Sequence, residues 1–308
     1  MSIKPVCLKK GDTVGIIAPA GPPRRDALSR GGKFLEGLGL NIKLGRYVHS
    51  EHGYLAGTDE ERLKDLHSMF RDKEIKAIFC ARGGYGTARI ASMIDYELLK
   101  ANPKIFWGYS DITFLHLAIM KHCEMITFHG PMIASDFGRE KVHSETEDTF
   151  LQVFGAAPAI YTKEQLLLES IVEGSAAGSL TGGNLTLITS TLGTKFEIET
   201  DGRILFIEEI NEEPRAVDRM LNQLYMAGKL EKASGVIVGD FHNCIPDSEP
   251  SFSVEEVVSH YLHLAGKPAI KGLKIGHCSP NIAIPLGSKA FMDTSRKVIF
   301  VESGTTMK

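Results

Sequence analysis

Short apolar runs rich in valine, isoleucine and phenylalanine alternate along this chain with longer amphipathic stretches. Such alternation is typical of strands that crossover helices connect into a parallel sheet. In the first half we predict strands from the runs TVGIIAP (13–19), IKAIFCAR (75–82), KIFWGYS (104–110) and MITFHGP (125–131). The first half therefore has the pattern of a doubly wound α/β domain.

Helices are predicted in the same half at residues 24–40 and 58–72. In the second of these, Thr58 and Glu61 have the spacing of a capping box. The second half continues the alternation, with predicted strands at 204–210, 234–241 and 297–303 and predicted helices at 214–228 and 253–266. It opens with GSAAGSLTGGNLTLITSTLGT (174–194), which we interpret as a glycine-rich turn that leads into a helix.

The alternation weakens between the two halves, where a charged stretch is followed by AAPAIYTKEQ (156–165). We place a linker at residues 156–174, between an N-terminal lobe of residues 1–155 and a C-terminal lobe of residues 175–308. The predicted fold class is α/β with two lobes. The N-terminal lobe is a doubly wound, mostly parallel sheet with a nucleophile elbow, and the C-terminal lobe is a smaller, mixed α/β domain.

Charge and cysteine content argue against several classes of partner. Lysine and arginine total 35 against 38 acidic residues, and the charges are dispersed, so no basic surface for nucleic acid is expected. No apolar run approaches the roughly 20 residues that span a bilayer, and no leader peptide is recognised, so we expect no membrane partner. The five cysteines are scattered without a CxxC pair, which indicates reduced thiols in a cytoplasmic protein. His116, His122 and His129 do not have the spacing of a zinc motif, and neither a metal nor a cofactor is predicted.

Ser110 directly precedes a helical run, ITFLHLAIMK, at the end of a predicted strand. A sharp strand-to-helix turn raises a serine above the carboxyl edge of the sheet, as in a nucleophile elbow, and turns the amide of Asp111 into the same space. The full G-x-S-x-G pattern is absent, because Ile112 occupies the position of its second glycine. Two interpretations stay open: Ser110 is a nucleophile, or Ser110 or Asp111 only caps the helix.

A second strand-to-helix turn, CARGGYGTARI (80–90), is rich in glycine. Such a loop exposes backbone amides at the edge of the sheet, which suits an oxyanion or a phosphate. Its spacing matches neither the P-loop nor the dinucleotide-binding motif. We therefore interpret it either as an oxyanion loop or as a tight turn.

His277, in IGHCSPNIAIPLG (275–287), lies on a loop after a short apolar run and is a candidate base. The acid that orients such a base is expected in ILFIEEI (204–210), which contains two adjacent carboxylates. In an extended strand Glu208 and Glu209 point to opposite faces, so only one of them can face a given histidine. The spacing does not decide which one.

Taken together, these motifs resemble those of the LD-carboxypeptidases (muramoyltetrapeptide carboxypeptidases), serine peptidases whose relatives include the microcin C immunity peptidases. The matching segments run along almost the whole chain: GDTVGIIAPAGPP, ARGGYGTAR, WGYSDIT, SLTGGNLTLI, ILFIEEINEEPRAVDRML and IGHCSPNIAIPLG. The resemblance implies a triad of Ser110, Glu208 and His277. It also implies an oxyanion hole formed by the amides of Asp111 and Gly84, with Gly83 as the nearest alternative to Gly84.

In this family the substrate is a murein tetrapeptide that ends in D-alanine, which the enzyme trims during cell-wall recycling. The resemblance therefore implies the same role in the cytoplasm for this chain. It also implies a homodimer. Arginine suits carboxylate recognition, which makes Arg215 and Arg219 candidate substrate-binding residues; solvated helix positions are the alternative. Gly183 and Asn184 either line the site or only reverse the chain. A triad divided between two lobes would lie in the groove between them.

Other functions share parts of this pattern. A same-fold immunity peptidase would cleave a microcin C-like peptide-nucleotide or an aminoacyl adenylate analogue, and an aromatic residue that stacks on adenine would favour it. The only tryptophan, Trp107, lies beside the elbow, and we expect it to pack in the core. A non-catalytic binder would lack a triad member, and an amidotransferase-like enzyme normally has cysteine where this chain has Ser110.

Overall fold

The computed structural model describes residues 2–164 and 166–307. Its strands are β1 (Thr13–Ile17), β2 (Asn41–Leu44), β3 (Ile75–Cys80), β4 (Ile105–Gly108), β5 (Thr127–His129), β6 (Ala159–Thr162), β7 (Glu169–Val172), β8 (Ser175–Asn184), β9 (Ile204–Ile210), β10 (Gly235–His242), β11 (Ala269–Lys271), β12 (Ile284–Leu286), β13 (Lys289–Asp293) and β14 (Val298–Val301). Its α-helices are α1 (Arg25–Gly37), α2 (Asp59–Arg71), α3 (Thr87–Ala91), α4 (Tyr96–Lys100), α5 (Thr113–Cys123), α6 (Ser144–Phe150), α7 (Leu185–Ser190), α8 (Pro214–Met226), α9 (Lys229–Lys232) and α10 (Val254–Ala265). Short 3-10 helices form at Ser110–Ile112 and Leu151–Phe154. Across these described residues, no helix is both long enough and apolar enough to cross a bilayer.

The chain divides into two compact units. The first contains the described residues up to Ala157, the segment Ile282–Gly287 and the residues from Ser303 onward. The second contains the described residues of Pro158–Asn281 and Ser288–Glu302. The segment 156–174, which we predicted to be a linker, contains β6 and β7, and both strands belong to the sheet of the second unit.

The first unit is built on a six-stranded sheet in the order β12-β5-β4-β3-β1-β2. All of its strand pairs are parallel except that between β12 and β5. The order β2-β1-β3-β4-β5 is one of the two common doubly wound arrangements. Adjacent residues of β3 pack on opposite faces of the sheet: Phe79 belongs to one buried apolar cluster and Ile78 to another. Both faces of the sheet are therefore covered, which confirms the predicted doubly wound unit.

The second unit contains an eight-stranded sheet in the order β6-β14-β13-β8-β9-β10-β11-β7. The central strands β8 to β11 are parallel, and the strands at both sides are antiparallel. The mixed α/β fold that we predicted for the second half is confirmed. The predicted capping box is confirmed as well: Thr58 and Glu61 exchange both hydrogen bonds at the start of α2.

The interpretation of residues 174–184 as a glycine-rich turn is wrong, because Ser175–Asn184 is a ten-residue strand, β8. Two of its three glycines are required by the close approach of neighbouring backbone. A Cβ atom on Gly182 would lie 1.9 Å from the Phe206 carbonyl oxygen, and one on Gly178 would lie 2.4 Å from the Gly202 carbonyl oxygen. The helix that we predicted to follow is present as α7.

Candidate active site

Ser110 lies in a sharp turn between β4 and α5 in the first unit. Its φ angle is +63°, in the left-handed region that residues other than glycine rarely adopt. The alternative that Ser110 caps a helix is wrong, because the N-cap residues of the two helices that begin here are Tyr109 and Ile112, and neither side chain makes a capping bond. The backbone of Ser110 is that of a nucleophile elbow.

The glycine loop after β3 packs directly against Ser110. A Cβ atom on Gly83 would lie 2.9 Å from Ser110 Cβ and 3.0 Å from Ser110 Oγ, so only glycine fits here. Gly84, which we predicted to form the oxyanion hole, has a φ angle of +128° and lies against Gly21. Among the backbone hydrogen bonds that described residues make outside helices and strands, none is donated by the Gly84 N–H. The oxyanion-hole roles of Gly84 and Asp111 stay predictions.

Asp111 is buried and ties the glycine loop to the elbow. Its carboxylate accepts a bond of 2.9 Å from the backbone N–H of Thr87, at the start of α3, and its carbonyl accepts one of 2.6 Å from the Thr87 hydroxyl. Burial raises the pKa of Asp111. Asp111 thus caps α3, not the helix that follows Ser110. The sequence did not indicate this contact of Thr87, although the residue lies in the glycine-rich motif.

Arg62 is a second residue that the sequence did not point to. Its side chain is completely buried and donates to the carbonyl oxygens of Pro19 at 2.6 Å and Gly86 at 2.9 Å. It also pairs with Asp59. One guanidinium therefore connects the loop after β1 with the loop after β3. Its position in α2, among other charged residues, gave no signal of this role.

In the second unit, Glu208 and His277 form a hydrogen-bonded pair. Glu208 Oε2 lies 2.8 Å from His277 Nδ1, and the side chains are 0% and 13% exposed. Since a carboxylate can only accept, we assign the proton to Nδ1, which leaves Nε2 as the basic nitrogen. Gly276 makes this approach possible, because a Cβ atom there would lie 2.8 Å from Glu208 Oε2.

Glu209 makes a different set of contacts. It accepts hydrogen bonds from Asn184 Nδ2 at 2.8 Å, the Thr186 N–H at 2.7 Å and the Ile210 N–H at 2.8 Å. Burial raises the pKa of Glu209. Adjacent glutamates therefore serve different partners, as the alternation of side chains along a strand requires. Of the two, only Glu208 is bonded to the candidate base.

The predicted substrate-binding residues are dispersed. Asn184 is buried, and its Oδ1 accepts from the Leu187 N–H at the start of α7. Gly183 lies inside β8, paired with Ile207 of β9. Arg215 and Arg219 are both exposed on α8. Their substrate-binding roles stay predictions.

Two further side chains bear on the chemistry. Burial raises the pKa of the Cys278 thiol to about 12, so this neighbour of His277 is not a thiolate near neutral pH. Trp107 is fully buried and stacks on Phe128, which confirms that it packs in the core. In the described part of the chain, no group of three or more His, Cys, Asp or Glu side chains could hold a metal ion.

Comparison with known proteins identifies the family. The LD-carboxypeptidase N-terminal domain matches residues 14–130, and the LD-carboxypeptidase C-terminal domain matches residues 177–292. A probable murein peptide carboxypeptidase of Bacillus subtilis (strain 168) is 55% identical over 99% of this chain and 96% of its own length. Among solved structures, an MccF-like protein from Bacillus anthracis str. Ames superposes with a TM-score of 0.89, at 27% identity, over 98% of this chain and 100% of that one. A muramoyltetrapeptide carboxypeptidase from Oxalobacter formigenes gives 0.85, at 28% identity, over 96% and 100%. The chain therefore belongs to the LD-carboxypeptidase family and is a carboxypeptidase of the serine peptidase class.

Proposed function

We propose that this enzyme releases the terminal D-alanine from murein tetrapeptides, with Ser110, His277 and Glu208 as its catalytic triad. The observation that carries the proposal is the left-handed backbone of Ser110, at φ +63°. A non-glycine residue keeps this conformation only where its surroundings impose it, and a nucleophile elbow is such a place. The 2.8 Å bond between Glu208 and His277 and the 55% identical murein peptide carboxypeptidase support the same proposal.

The proposed reaction has two halves. His277 Nε2 takes the proton of Ser110 Oγ, which attacks the carbonyl carbon before the terminal residue. The amides of Asp111 and Gly84 stabilise the oxyanion, and Glu208 stabilises the imidazolium. His277 then gives its proton to the nitrogen of the leaving D-alanine. A water molecule, deprotonated by His277, hydrolyses the acyl-enzyme and restores Ser110.

A Ser110→Ala variant tests this proposal. We expect D-alanine release from a defined tetrapeptide, followed by mass spectrometry, to fall by about 10⁴-fold or more. The matched control is Ser92→Ala, which removes an exposed hydroxyl in the same unit and should retain wild-type turnover. Wild-type protein that released no D-alanine, or a Ser110→Ala variant that kept its turnover, would refute the proposal.

We further propose that the enzyme acts in the cytoplasm, as a homodimer, in recycling of cell-wall peptides. The free state of all five cysteines supports a reducing compartment. Light scattering of the purified protein tests the dimer, and cell fractionation tests the compartment. A monomer at micromolar concentration would refute the proposed dimer. Recovery of the protein outside the cytoplasm would refute the proposed compartment.

A second function is favoured by one observation. Tyr54 and Tyr85 are 68% and 53% exposed and form an edge-to-face pair with ring centroids 5.6 Å apart, and Tyr85 follows the glycine loop directly. Exposed aromatic rings can stack on a purine, as an immunity-type peptidase for adenylate analogues would require. Incubation with an aminoacyl-sulfamoyl adenosine tests this alternative. We expect the tetrapeptide to be the better substrate, and the opposite ratio of kcat/KM values would favour the immunity peptidase.

A further inference from the structure

A carboxypeptidase must recognise a negative charge close to its nucleophile. The free carboxylate of the terminal residue lies three bonds beyond the scissile carbonyl carbon, within about 4 Å of it. A planar guanidinium with free donors is the side chain best suited to bind such a group. If the proposed function holds, an arginine near Ser110 whose donors are not already used is therefore the expected binding residue.

Arg82, in the first unit, is the arginine next in the chain to the glycine loop that packs on Ser110. It is exposed and directly precedes Gly83, the residue that packs on Ser110. Both residues lie beside Gly21. A Cβ atom built on Gly21 would be 3.6 Å from Arg82 Nε and 3.1 Å from the Gly83 carbonyl oxygen. Arg82 is thus one residue away in the chain from the glycine that packs on Ser110, and its Nε lies beside Gly21.

The donors of Arg82 are largely unused. Its one protein hydrogen bond runs from NH1 to the Pro22 carbonyl oxygen, at 3.3 Å, and no carboxylate in the described residues pairs with it. Arg89, in the same motif, is different: three of its contacts with Asp59 lie between 2.9 and 3.1 Å. A guanidinium has five N–H donors, so Arg82 retains the capacity for a two-pronged bond to a carboxylate.

Of the two arginines that we predicted from the sequence, Arg215 is less suited to this role. Arg215 already pairs with Glu213 at 2.6 Å and with Asp247 at 3.1 Å. A further carboxylate would have to compete with both. Arg219 lies one turn further along the same exposed helix face.

We propose that Arg82 binds the terminal carboxylate of the substrate and thereby makes the enzyme specific for a free C-terminus. This assigns a second function to the glycine-rich motif, in which the Gly84 amide serves the oxyanion and Arg82 serves the neighbouring carboxylate. The motif would then bind both negative charges at the scissile end of the substrate, the developing oxyanion and the terminal carboxylate.

The test compares ligands that differ only in this charge. Turnover is measured with a tetrapeptide and with its C-terminal amide. In parallel, N-acetyl-L-lysyl-D-alanine and its amide protect Ser110 from a neutral fluorophosphonate. In Arg82→Met we expect the kcat/KM of the acid, and its protection of Ser110, to weaken about 10- to 100-fold. The values for the amides should change less than about threefold, and Arg82→Lys should fall between the two.

The matched control is Arg71→Met. Arg71 is an exposed arginine of the same unit, at the C-terminal end of α2, and it is not part of the glycine loop. It should keep the wild-type preference for the acid. Equal losses for acid and amide in Arg82→Met would show that Arg82 only supports the loop, and unchanged values would show that it does not bind the substrate; either result overturns the inference. The protection assay reports on Arg82 even if the tetrapeptide is not turned over, so failure of the proposed function is distinguished from failure of this inference.

Discussion

The adjacent glutamates of β9 allow a prediction in which the same substitution has different consequences at the two positions: loss of turnover at Glu208 and loss of stability at Glu209. Glu208→Gln replaces the carboxylate that lies 2.8 Å from His277 Nδ1, in a position without solvent exposure. Because this position is buried, bulk water does not screen the loss of the charge. The amide either donates to Nδ1, which moves the imidazole proton to Nε2, or accepts from it as a neutral group. In both orientations the imidazolium loses its stabilising charge.

We expect kcat to fall by about 10³- to 10⁴-fold in Glu208→Gln, as in serine hydrolases whose triad acid is neutralised. This corresponds to about 4–5.5 kcal/mol of transition-state stabilisation. The assay is D-alanine release at saturating tetrapeptide, with labelling of Ser110 by a fluorophosphonate as a second measure of serine reactivity. Both rates should fall together.

Glu209→Gln is the control. Glu209 accepts from Asn184, Thr186 and Ile210, so an amide group must face at least one N–H donor in either orientation. Each buried donor left without an acceptor costs about 1–3 kcal/mol. We expect a lower free energy of unfolding in urea, with kcat within about threefold of wild type. If Glu209→Gln abolished turnover while Glu208→Gln kept it, the assignment of the triad acid would be wrong.

Two other predictions use different parts of the first unit. Gly83→Ala places a Cβ atom 2.9 Å from that of Ser110, so we expect kcat and fluorophosphonate labelling to fall at least about tenfold while far-UV circular dichroism is unchanged; wild-type labelling would show that the loop can move away. His116 is fully buried, and burial lowers its pKa from 6.5 to about 4. Between these values the unfolded chain binds a proton that the folded protein does not, so stability falls with falling pH, by about 2 kcal/mol at pH 5 relative to pH 7. Urea unfolding of His116→Phe should show a correspondingly smaller difference between pH 7 and pH 5, and an unchanged difference would contradict this account.

The sequence predicted those strands whose side chains are buried on both faces. The runs that became β1, β3, β4 and β9 are mostly apolar, with Lys76 in β3 and the two glutamates in β9 as the charged exceptions. A mostly apolar run is the local signature of a central parallel strand. β8 could not be predicted in this way, because its glycines are selected by the backbone of Phe206 and Gly202 beside them. β12 has three residues, one of them proline, and pairs with β5 more than 150 positions earlier in the chain. No local pattern specifies such a partner.

The candidate site likewise has features that the sequence predicts and features that it does not. A serine between a strand and a helix is visible in the sequence, whereas its positive φ angle is not, because Ser110 is not a glycine. Alternation along β9 showed that the two glutamates point apart, but the loop that carries His277 decides which one is bonded to it. Arg62 and Arg82 resemble ordinary solvated charges in the sequence. The structure distinguishes them by their hydrogen bonds: Arg62 donates to the Pro19 and Gly86 carbonyl oxygens, whereas Arg82 donates only one bond to a described residue, to the Pro22 carbonyl oxygen.

The antiparallel pairing of β12 with β5 has a consequence for synthesis. The strand that covers the outer edge of β5 lies more than 150 residues later in the chain, so it leaves the ribosome only after those residues have been translated. Until then, the nascent first unit presents an unpaired strand edge, which favours pairing with other chains. A fragment that ends at Ala157 would keep this edge permanently. Such a fragment is therefore expected to aggregate, and the whole chain is expected to depend on chaperones during the interval before residue 284 is added.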